Sequence, residues 1–263
     1  CLQVFVGHEG GVTSGTFTPD GKWVVSAGQD GTCRVWAPKT GMSKHVFRLM
    51  EHGGGEGPGA GLTCLAVGGG SDGQLALCGG EDGNGYVVHI SGKKLVATLP
   101  HFEETPGNNN TNTAAPNASN EMGDDDDEDM EGEARSIEAV GFCPANIPGT
   151  AHWCATGGVD GILKIWNMNV TGTSAQLRQR CVRSPDDQSQ PAGITKLIWH
   201  NSLPLVICAY TDGVVCVWDV RVGTLVTTLT GHEDMINDMC VNFVNGGGTG
   251  GSSVAVIVTG SDD

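Results

Sequence analysis

The sequence predicts an all-β fold built from repeated units of four short strands. Three observations carry this prediction. Glycine accounts for 42 of the 263 residues and aromatic residues for only 5%, and long helix-forming stretches are absent. An Asp-Gly pair recurs along the chain, and in four of the six pairs a Trp or Val follows six residues after the Asp. Asp-Gly pairs favour tight turns between short strands, so their recurrence indicates many strands rather than helices.

The Asp-Gly pairs also set the length of the repeat. Four of the paired aspartates are followed by the Trp or Val, and a fifth Asp lies at the equivalent position at the end of the chain: Asp30, Asp82, Asp160, Asp212 and Asp263. Their spacings are 52, 78, 52 and 51 residues, so the longest interval is one ordinary repeat that carries an insert of about 26 residues. Self-similarity at a period of this length is the signature of repeat folds.

The first unit shows how the four strands are placed. The turn at residues 18–21 separates the first two strands, the Asp30-Gly31 turn gives a hairpin, and a third turn ends at Gly41. Glycine accepts the positive φ that such turns require. We therefore expect strands at residues 12–17, 23–27, 32–36 and 45–49.

A Gly-His pair before the first strand, an Asp-Gly turn and a Trp-Asp ending together resemble the blades of WD40 β-propellers. The Gly-His pairs are Gly7-His8 and Gly231-His232, and the Trp-Asp ending is Trp218-Asp219. Residues 2–6 resemble the outer strand of a preceding blade. The resemblance implies a partial ring of about four complete blades, with two to four further blades missing. We expect blades near residues 1–52, 53–101, 136–183 and 192–230, and a partial blade at 231–263.

One set of side chains in the first unit holds the residue types of a hydrolase triad. This set is His8, Ser26, Asp30 and Trp36. A true nucleophile occurs once, whereas this set recurs, and in WD40 blades these residues form a buried hydrogen-bonded chain that locks the blade. The second unit departs from the pattern, with Cys78 and Val88. The same structural role is expected for Thr156, Asp160, Trp166, Asp212, Trp218 and His232.

The sequence predicts a protein that is not an enzyme. It contains no Gly-rich phosphate loop, no unique nucleophile and no Cys/His pairs at metal-ligating spacing. We therefore expect no catalytic residues, no cofactor and no metal. The ten cysteines form no C-x-x-C pair, and neither a signal peptide nor an apolar stretch of about 18 residues is present. These observations predict free thiols and a cytoplasmic protein, with the nucleus as a further location.

The net charge of −16 is concentrated in one segment. Residues 103–135 hold eleven acids and one arginine, which gives −10. Such a segment repels itself, so we expect a disordered acidic insert. A chain of this charge attracts a basic protein client and repels nucleic acid and anionic membranes; a solvated spacer without a partner is the alternative. The candidate partner-binding acids are Asp124, Asp125, Asp126, Asp127, Glu128, Asp129, Asp186 and Asp187.

A closer likeness is carried by four motifs. They are Gly7-His8-Glu9-Gly10-Gly11-Val12-Thr13, Asp30-Gly31-Thr32, Glu138-Ala139-Val140-Gly141-Phe142-Cys143 after the acidic insert, and Trp218-Asp219-Val220-Arg221-Val222-Gly223. Together they resemble the angio-associated migratory cell protein family. The resemblance implies a ribosome-assembly chaperone, because the fungal counterpart holds a basic large-subunit ribosomal protein on an acidic face. Animal members are linked to cell migration, which leaves a signalling scaffold as an alternative.

A second alternative comes from the end of the fourth unit. The run Trp218-Asp219-Val220-Arg221 resembles the box by which some WD40 proteins attach to the adaptor of cullin-4 ubiquitin ligases. That resemblance implies a substrate receptor in which Arg221 contacts the adaptor.

Overall fold

The structure is a computed structural model that describes most of the chain outside its longest loops. The described residues are 2–50, 60–69, 73–102, 135–150, 152–168, 175–183, 191–245 and 253–263, without the side chains of 244, 245, 253 and 254. The predicted acidic insert therefore lies outside them except for Arg135, as do Asp124–Asp129, Asp186 and Asp187. The predictions about these acids remain predictions.

The described residues form four antiparallel sheets of four strands, and the strands in each sheet follow chain order. The first two sheets are β1 (Val12–Phe17), β2 (Val24–Gly28), β3 (Thr32–Trp36) and β4 (Ser43–Arg48), then β5 (Leu62–Gly68), β6 (Leu75–Gly80), β7 (Asn84–His89) and β8 (Lys94–Pro100). The next two are β9 (Ile137–Phe142), β10 (Trp153–Gly158), β11 (Leu163–Asn167) and β12 (Gln176–Cys181), then β13 (Ile194–Trp199), β14 (Leu205–Tyr210), β15 (Val215–Asp219) and β16 (Thr224–Leu229).

A fifth unit contributes two strands, β17 (Ile236–Asn245) and β18 (Ser253–Ser261), paired antiparallel. The described residues contain no helix, and hence none that could cross a bilayer. The all-β prediction is confirmed.

The Asp-Gly turns make the central hairpin of every sheet. In the first sheet the amide of Gly31 donates to the carbonyl of Gly28 at 3.1 Å, and Gly31 has a φ of 67°. A left-handed φ costs glycine little because it has no Cβ. The turn therefore fixes the register of β2 against β3, with Val24 opposite Trp36.

The core lies between neighbouring sheets, which pack face to face. One apolar cluster joins the first and second sheets, a second joins the second and third, and a third joins the third and fourth. Neighbouring inner strands are also linked by hydroxyl groups. Thr13 of β1 donates to the carbonyl of Leu62 at 2.8 Å, and Thr195 of β13 donates to that of Ile236 at 2.7 Å. Each sheet is thus one blade, stabilised mainly by contact with the next.

Antiparallel order gives the assembly two faces. The four Asp-Gly turns and the loops between sheets emerge on one side, here called the Asp-Gly face. The turns that join the first strand to the second, and the third to the fourth, emerge on the opposite side.

The segment that precedes β1 lies outside the four sheets. Residues 2–7 are not in a strand in the described structure. Residues 2–6 were predicted as the outer strand of a preceding blade that lies outside this sequence, so that prediction stays a prediction. A strand needs a hydrogen-bonded partner strand, and none of the described residues pairs with this segment. Phe5 instead packs on Trp36, with ring centroids 5.7 Å apart.

Candidate functional site

The predicted side chains of the first sheet form a continuous hydrogen-bonded chain. His8 Nδ1 lies 3.0 Å from each carboxylate oxygen of Asp30, and His8 Nε2 lies 2.7 Å from Ser26 Oγ. Trp36 Nε1 donates to the same Ser26 oxygen at 2.8 Å. If Nδ1 carries the imidazole proton, Ser26 accepts from Trp36 and donates to His8, which donates to Asp30. Each polar group in the chain then has a partner.

Asp30 is held as a carboxylate. Burial opposes its ionisation, but the Glu9 amide and the side chains of Thr32 and His8 donate to it. These hydrogen bonds outweigh burial and hold the pKa of Asp30 well below its ordinary value. Arg34 adds a positive charge 3.5 Å from the same carboxylate.

The third sheet contains an equivalent chain. His101 lies 2.7 Å from Thr156 Oγ1 and 3.1 Å from Asp160 Oδ1, and Trp166 Nε1 donates to Thr156 Oγ1 at 2.9 Å. His101 is fully buried, and burial lowers the pKa of its imidazole despite the nearby Asp160. His101 comes from the loop that leads into residues 103–134, so the acidic segment begins directly after a buried structural residue.

A glycine makes room for each of these imidazoles. A Cβ at Gly28 would lie 2.6 Å from His8 Nδ1, and a Cβ at Gly158 would lie 2.9 Å from His101 Nε2. Such distances are too short for a methyl group, so the chain depends on a small residue two positions after the Ser or Thr.

The fifth unit repeats the arrangement with His232. Its Nδ1 lies 2.8 Å from Asp263 Oδ1, and its Nε2 lies 2.8 Å from Thr259 Oγ1. The Glu233 amide also donates to Asp263 at 2.8 Å, and these hydrogen bonds lower the pKa of Asp263 to about 2.

The fourth sheet does not contain the chain predicted for Asp212 and Trp218, and this prediction is corrected. The buried indole nitrogen of Trp218 lies beside the Tyr210 hydroxyl, but it makes no hydrogen bond of good geometry among the described residues. Cys208 replaces the Ser or Thr, and Tyr210 occupies the position of the glycine. A tyrosine ring fills the space that an imidazole needs, so the histidine network cannot form there.

Arg183 supplies a different contact in the fourth sheet. Its Nη1 donates to Asp212 Oδ2 at 2.7 Å, and its guanidinium carbon lies 4.9 Å from the centre of the Tyr210 ring. Both charged side chains remain about a third exposed, at 32% for Arg183 and 39% for Asp212. A half-exposed ion pair therefore stands where the other units have a buried imidazole.

The second sheet lacks the Ser and the Trp of the hydrogen-bonded chain, as the sequence predicts. Cys78 and Val88 replace the Ser and the Trp, and both are buried. Asp82 accepts hydrogen bonds from its own sheet, from Asn84 Nδ2 at 2.9 Å and from the hydroxyl of Tyr86.

These hydrogen-bonded networks have a structural role. Ser26 is 7% exposed, and its oxygen is held by both the His8 and Trp36 nitrogens, so a substrate has no route to it. Burial raises the pKa of the Cys64 thiol to about 12, so this cysteine is no nucleophile at neutral pH. Among the described residues no group of His, Cys, Asp and Glu is placed to hold a metal ion.

The two faces differ in charge. The loops and turns of the Asp-Gly face carry two bases that reach solvent, Arg135 and Arg183, of which Arg183 is paired with Asp212. Arg48 and Arg180 stand at the adjoining strand ends. The exposed acids of those described loops and turns number eight: Glu9, Glu81, Asp82, Asp212, Glu233, Asp234, Asp262 and Asp263.

The opposite face is basic, and it is called the lysine face below. Its described turns and adjoining strand ends carry two acids, Asp20 and Asp219. They carry seven exposed bases: Lys22, Lys39, Lys44, Lys93, Lys94, Arg178 and Arg221. Arg221, the candidate ligase contact, is 62% exposed and donates to Asp219 Oδ2 at 2.6 Å. The sequence did not predict this face, because the lysines are scattered along the chain.

The acidic segment is attached to the Asp-Gly face. Phe102 and Arg135 flank it, and both approach the same turn. A Cβ on Gly83 would lie 2.6 Å from Phe102 Cδ2 and 3.2 Å from the carbonyl oxygen of Arg135. The two ends of the 103–134 segment are therefore close together beside the turn that carries Asp82.

Comparison with known proteins agrees with this architecture. A model of the WD domain, G-beta repeat matches residues 1–37, 140–167 and 179–219. The chain also superposes on a crystal structure of the RRP9 WD40 repeats with a TM-score of 0.61, over 92% of this chain and 60% of that one. At 17% identity this likeness concerns the fold alone. The chain therefore contains WD40 repeats, and its sheets are propeller blades.

The chain is homologous to the angio-associated migratory cell protein. It is 31% identical to the Homo sapiens protein over 240 residues, which cover 91% of this chain and 46% of that protein. An uncharacterised WD repeat-containing protein of Schizosaccharomyces pombe is 27% identical over 267 residues, covering all of this chain and 52% of the relative. This chain thus spans about half the length of these relatives, and neither name describes a catalytic activity.

Proposed function

We propose that this protein is a non-enzymatic WD40 scaffold that binds a basic protein client on its Asp-Gly face. The observation that carries the proposal is the charge of that face. Its described loops and turns hold eight exposed acids against two bases, Arg135 and the partly exposed Arg183. The segment attached there, residues 103–134, adds eleven further acids and no Lys or Arg. Complementary charge at this density favours a partner rich in Lys and Arg.

The two sources of charge serve different steps of binding. Acids in described turns, such as Glu81 and Asp82, keep fixed positions and set the contacts of the bound client. The run from Asp124 to Asp129 acts at longer range and raises the rate of encounter. Attraction between exposed charges falls off over a Debye length of about 8 Å at physiological salt. Binding is therefore strongest at low ionic strength.

For the client we propose a basic large-subunit ribosomal protein, with this scaffold acting as its assembly chaperone. The support is the resemblance to the angio-associated migratory cell protein family, which implies such a role, together with the acidic face. A newly made ribosomal protein carries unneutralised positive charge, and an acidic surface screens that charge until the protein is delivered.

The test is affinity purification of the full-length protein from growing cells, with mass spectrometry of the bound proteins. We expect enrichment of one basic ribosomal protein that is lost in high salt. A variant with Glu9→Gln, Glu81→Gln and Glu233→Gln should retain several-fold less of it. The matched control, Lys39→Gln with Lys44→Gln on the lysine face, should retain it fully.

Two outcomes count against the proposal. Recovery of acidic or neutral proteins alone, unchanged by the three substitutions, contradicts the electrostatic client. Recovery of cullin-4 components that is lost in Arg221→Ala supports the ligase receptor instead, since Arg221 is exposed on the lysine face.

A further inference from the structure

We propose that the lysine face is a second docking surface, and that it binds a short acidic segment of a partner protein. This inference does not depend on the proposed client, because it concerns the opposite face and the opposite charge.

The positive charge of the lysine face is not neutralised within the described part of the chain. Its two acids are each held by a neighbouring base: Asp20 lies 3.1 Å from Lys22 Nζ, and Asp219 lies 2.6 Å from Arg221 Nη2. Five exposed bases remain without a carboxylate partner among the described residues, namely Lys39, Lys44, Lys93, Lys94 and Arg178. In a chain of charge −16, five unpaired bases on one side form a distinct positive surface.

The backbone at Lys93 supports a functional reason for these lysines. Lys93 is the non-glycine residue with a positive φ among those described, at 50°. The equivalent turn positions of the first and fourth sheets are Gly41 and Gly223, with φ of 69° and 73°. A left-handed conformation strains a residue that has a Cβ, so glycine suits this turn better. Strain of this kind is retained where the side chain has a use.

Lys93 also acts electrostatically across the boundary between the first two blades. Burial lowers the pKa of His45, on β4 of the first sheet, and the charge of Lys93 adds to this effect. The turn between β7 and β8 is therefore within electrostatic range of the outer strand of the first sheet. Lys94 follows at the start of β8, so two adjacent ammonium groups occupy one exposed turn.

The charge of the whole chain selects the class of partner. A long polyanion or an anionic membrane extends beyond one Debye length, about 8 Å, and is repelled by the acidic remainder of the chain. A short acidic peptide senses only the charges near it. The charge of the remainder of the chain therefore favours the carboxylates of a short protein segment.

The experiment measures binding of a fluorescein-labelled peptide of eight glutamates to the full-length protein by anisotropy at low salt. We expect saturable binding, with no binding of the equivalent glutamine peptide. Lys93→Gly combined with Lys94→Gln should weaken the affinity about three- to tenfold, because two exposed charges are lost. Lys22→Gln is the matched control and should change it little, since Lys22 is already paired with Asp20.

A second readout separates the role of Lys93 from a structural one. Lys93→Gly removes the backbone strain and should raise Tm by about 1–3 °C, whereas Lys93→Ala keeps the strain and should not. Both should weaken peptide binding equally. A fall in Tm for Lys93→Gly means that this lysine stabilises the turn, and overturns the argument. If Lys22→Gln loses as much binding as the Lys93 variants, the choice of site is wrong. If single-stranded RNA or phosphatidylserine vesicles bind more tightly than the glutamate peptide, and through the same lysines, the choice of partner is wrong.

Discussion

The third and fourth sheets share the same sequence signature, but the residues of that signature make different contacts in the two sheets. Both have an Asp-Gly turn and a Trp six residues after the Asp. In the third sheet Asp160 joins a buried chain through His101. In the fourth sheet Asp212 pairs with a half-exposed arginine, and the nitrogen of Trp218 makes no hydrogen bond of good geometry among the described residues.

The comparison shows that the Asp and the Trp do not by themselves define the network. The deciding positions are the hydroxyl residue and the glycine two positions later. The third sheet has Thr156 and Gly158 there, and the fourth has Cys208 and Tyr210. A WD40 unit can therefore replace the histidine chain by a buried tyrosine ring that packs in the core beside Trp218.

The largest expected effect tests the packing of the fourth sheet. Tyr210→Ala should lower the free energy of unfolding by roughly 3–5 kcal/mol, because a fully buried ring is lost from the core. Tyr210→Phe should leave it within about 1 kcal/mol, because the hydroxyl makes no hydrogen bond of good geometry among the described residues. Urea unfolding of the full-length variants measures both. A large cost for the phenylalanine variant means that the hydroxyl has a partner after all.

An intermediate effect compares the two aspartates. Asp160→Ala should cost roughly 1–3 kcal/mol, because it removes the acceptor of a fully buried imidazole. Asp212→Ala should cost about 1 kcal/mol or less, because its partner Arg183 is partly exposed and can turn to water. The same unfolding assay applies. Equal costs at the two positions contradict the distinction between a buried network and a half-exposed ion pair.

The smallest expected effect concerns the segment that follows His101. Removing residues 103–134 and joining Phe102 to Arg135 by a short Gly-Ser linker should change the free energy of unfolding by at most about 0.5 kcal/mol. Both flanking residues already lie beside Gly83, and loop-closure entropy changes slowly with length. If the deletion variant unfolds at a urea concentration equal to or below the unfolding midpoint of Asp160→Ala, the segment has a structural role.

Much of the fold could be predicted because the repeat is dense in turn signals. The Asp30-Gly31 turn, the strand at Thr32–Trp36 and the set around His8 follow from fixed spacings. Residues 2–6 have the composition of a strand, but strand formation depends on a pairing partner, and the predicted partner belongs to a preceding blade outside this sequence.

The candidate site was predictable where it is local and not where it depends on distant residues. Cys208 and Tyr210 were visible as departures from the repeat, and they could have excluded the fourth network. Arg183 could not be assigned, because it lies 29 residues from Asp212 and its contact depends on how the loop returns to the sheet. The lysine face depends in the same way on strand direction, which places Lys22 and Lys93 on one side.

Sheets with and without a histidine chain alternate along the chain, and this order predicts where local unfolding begins. The first, third and fifth units contain a histidine chain, whereas the second lacks its Ser and Trp and the fourth its Thr and Gly. Each blade that lacks the chain thus stands between two that have it. Amide hydrogens in a repeat protein exchange through cooperative local openings of neighbouring units. Exchange should therefore be fastest in the second and fourth blades, and openings that begin there would spread to the neighbouring blades through the shared interfaces.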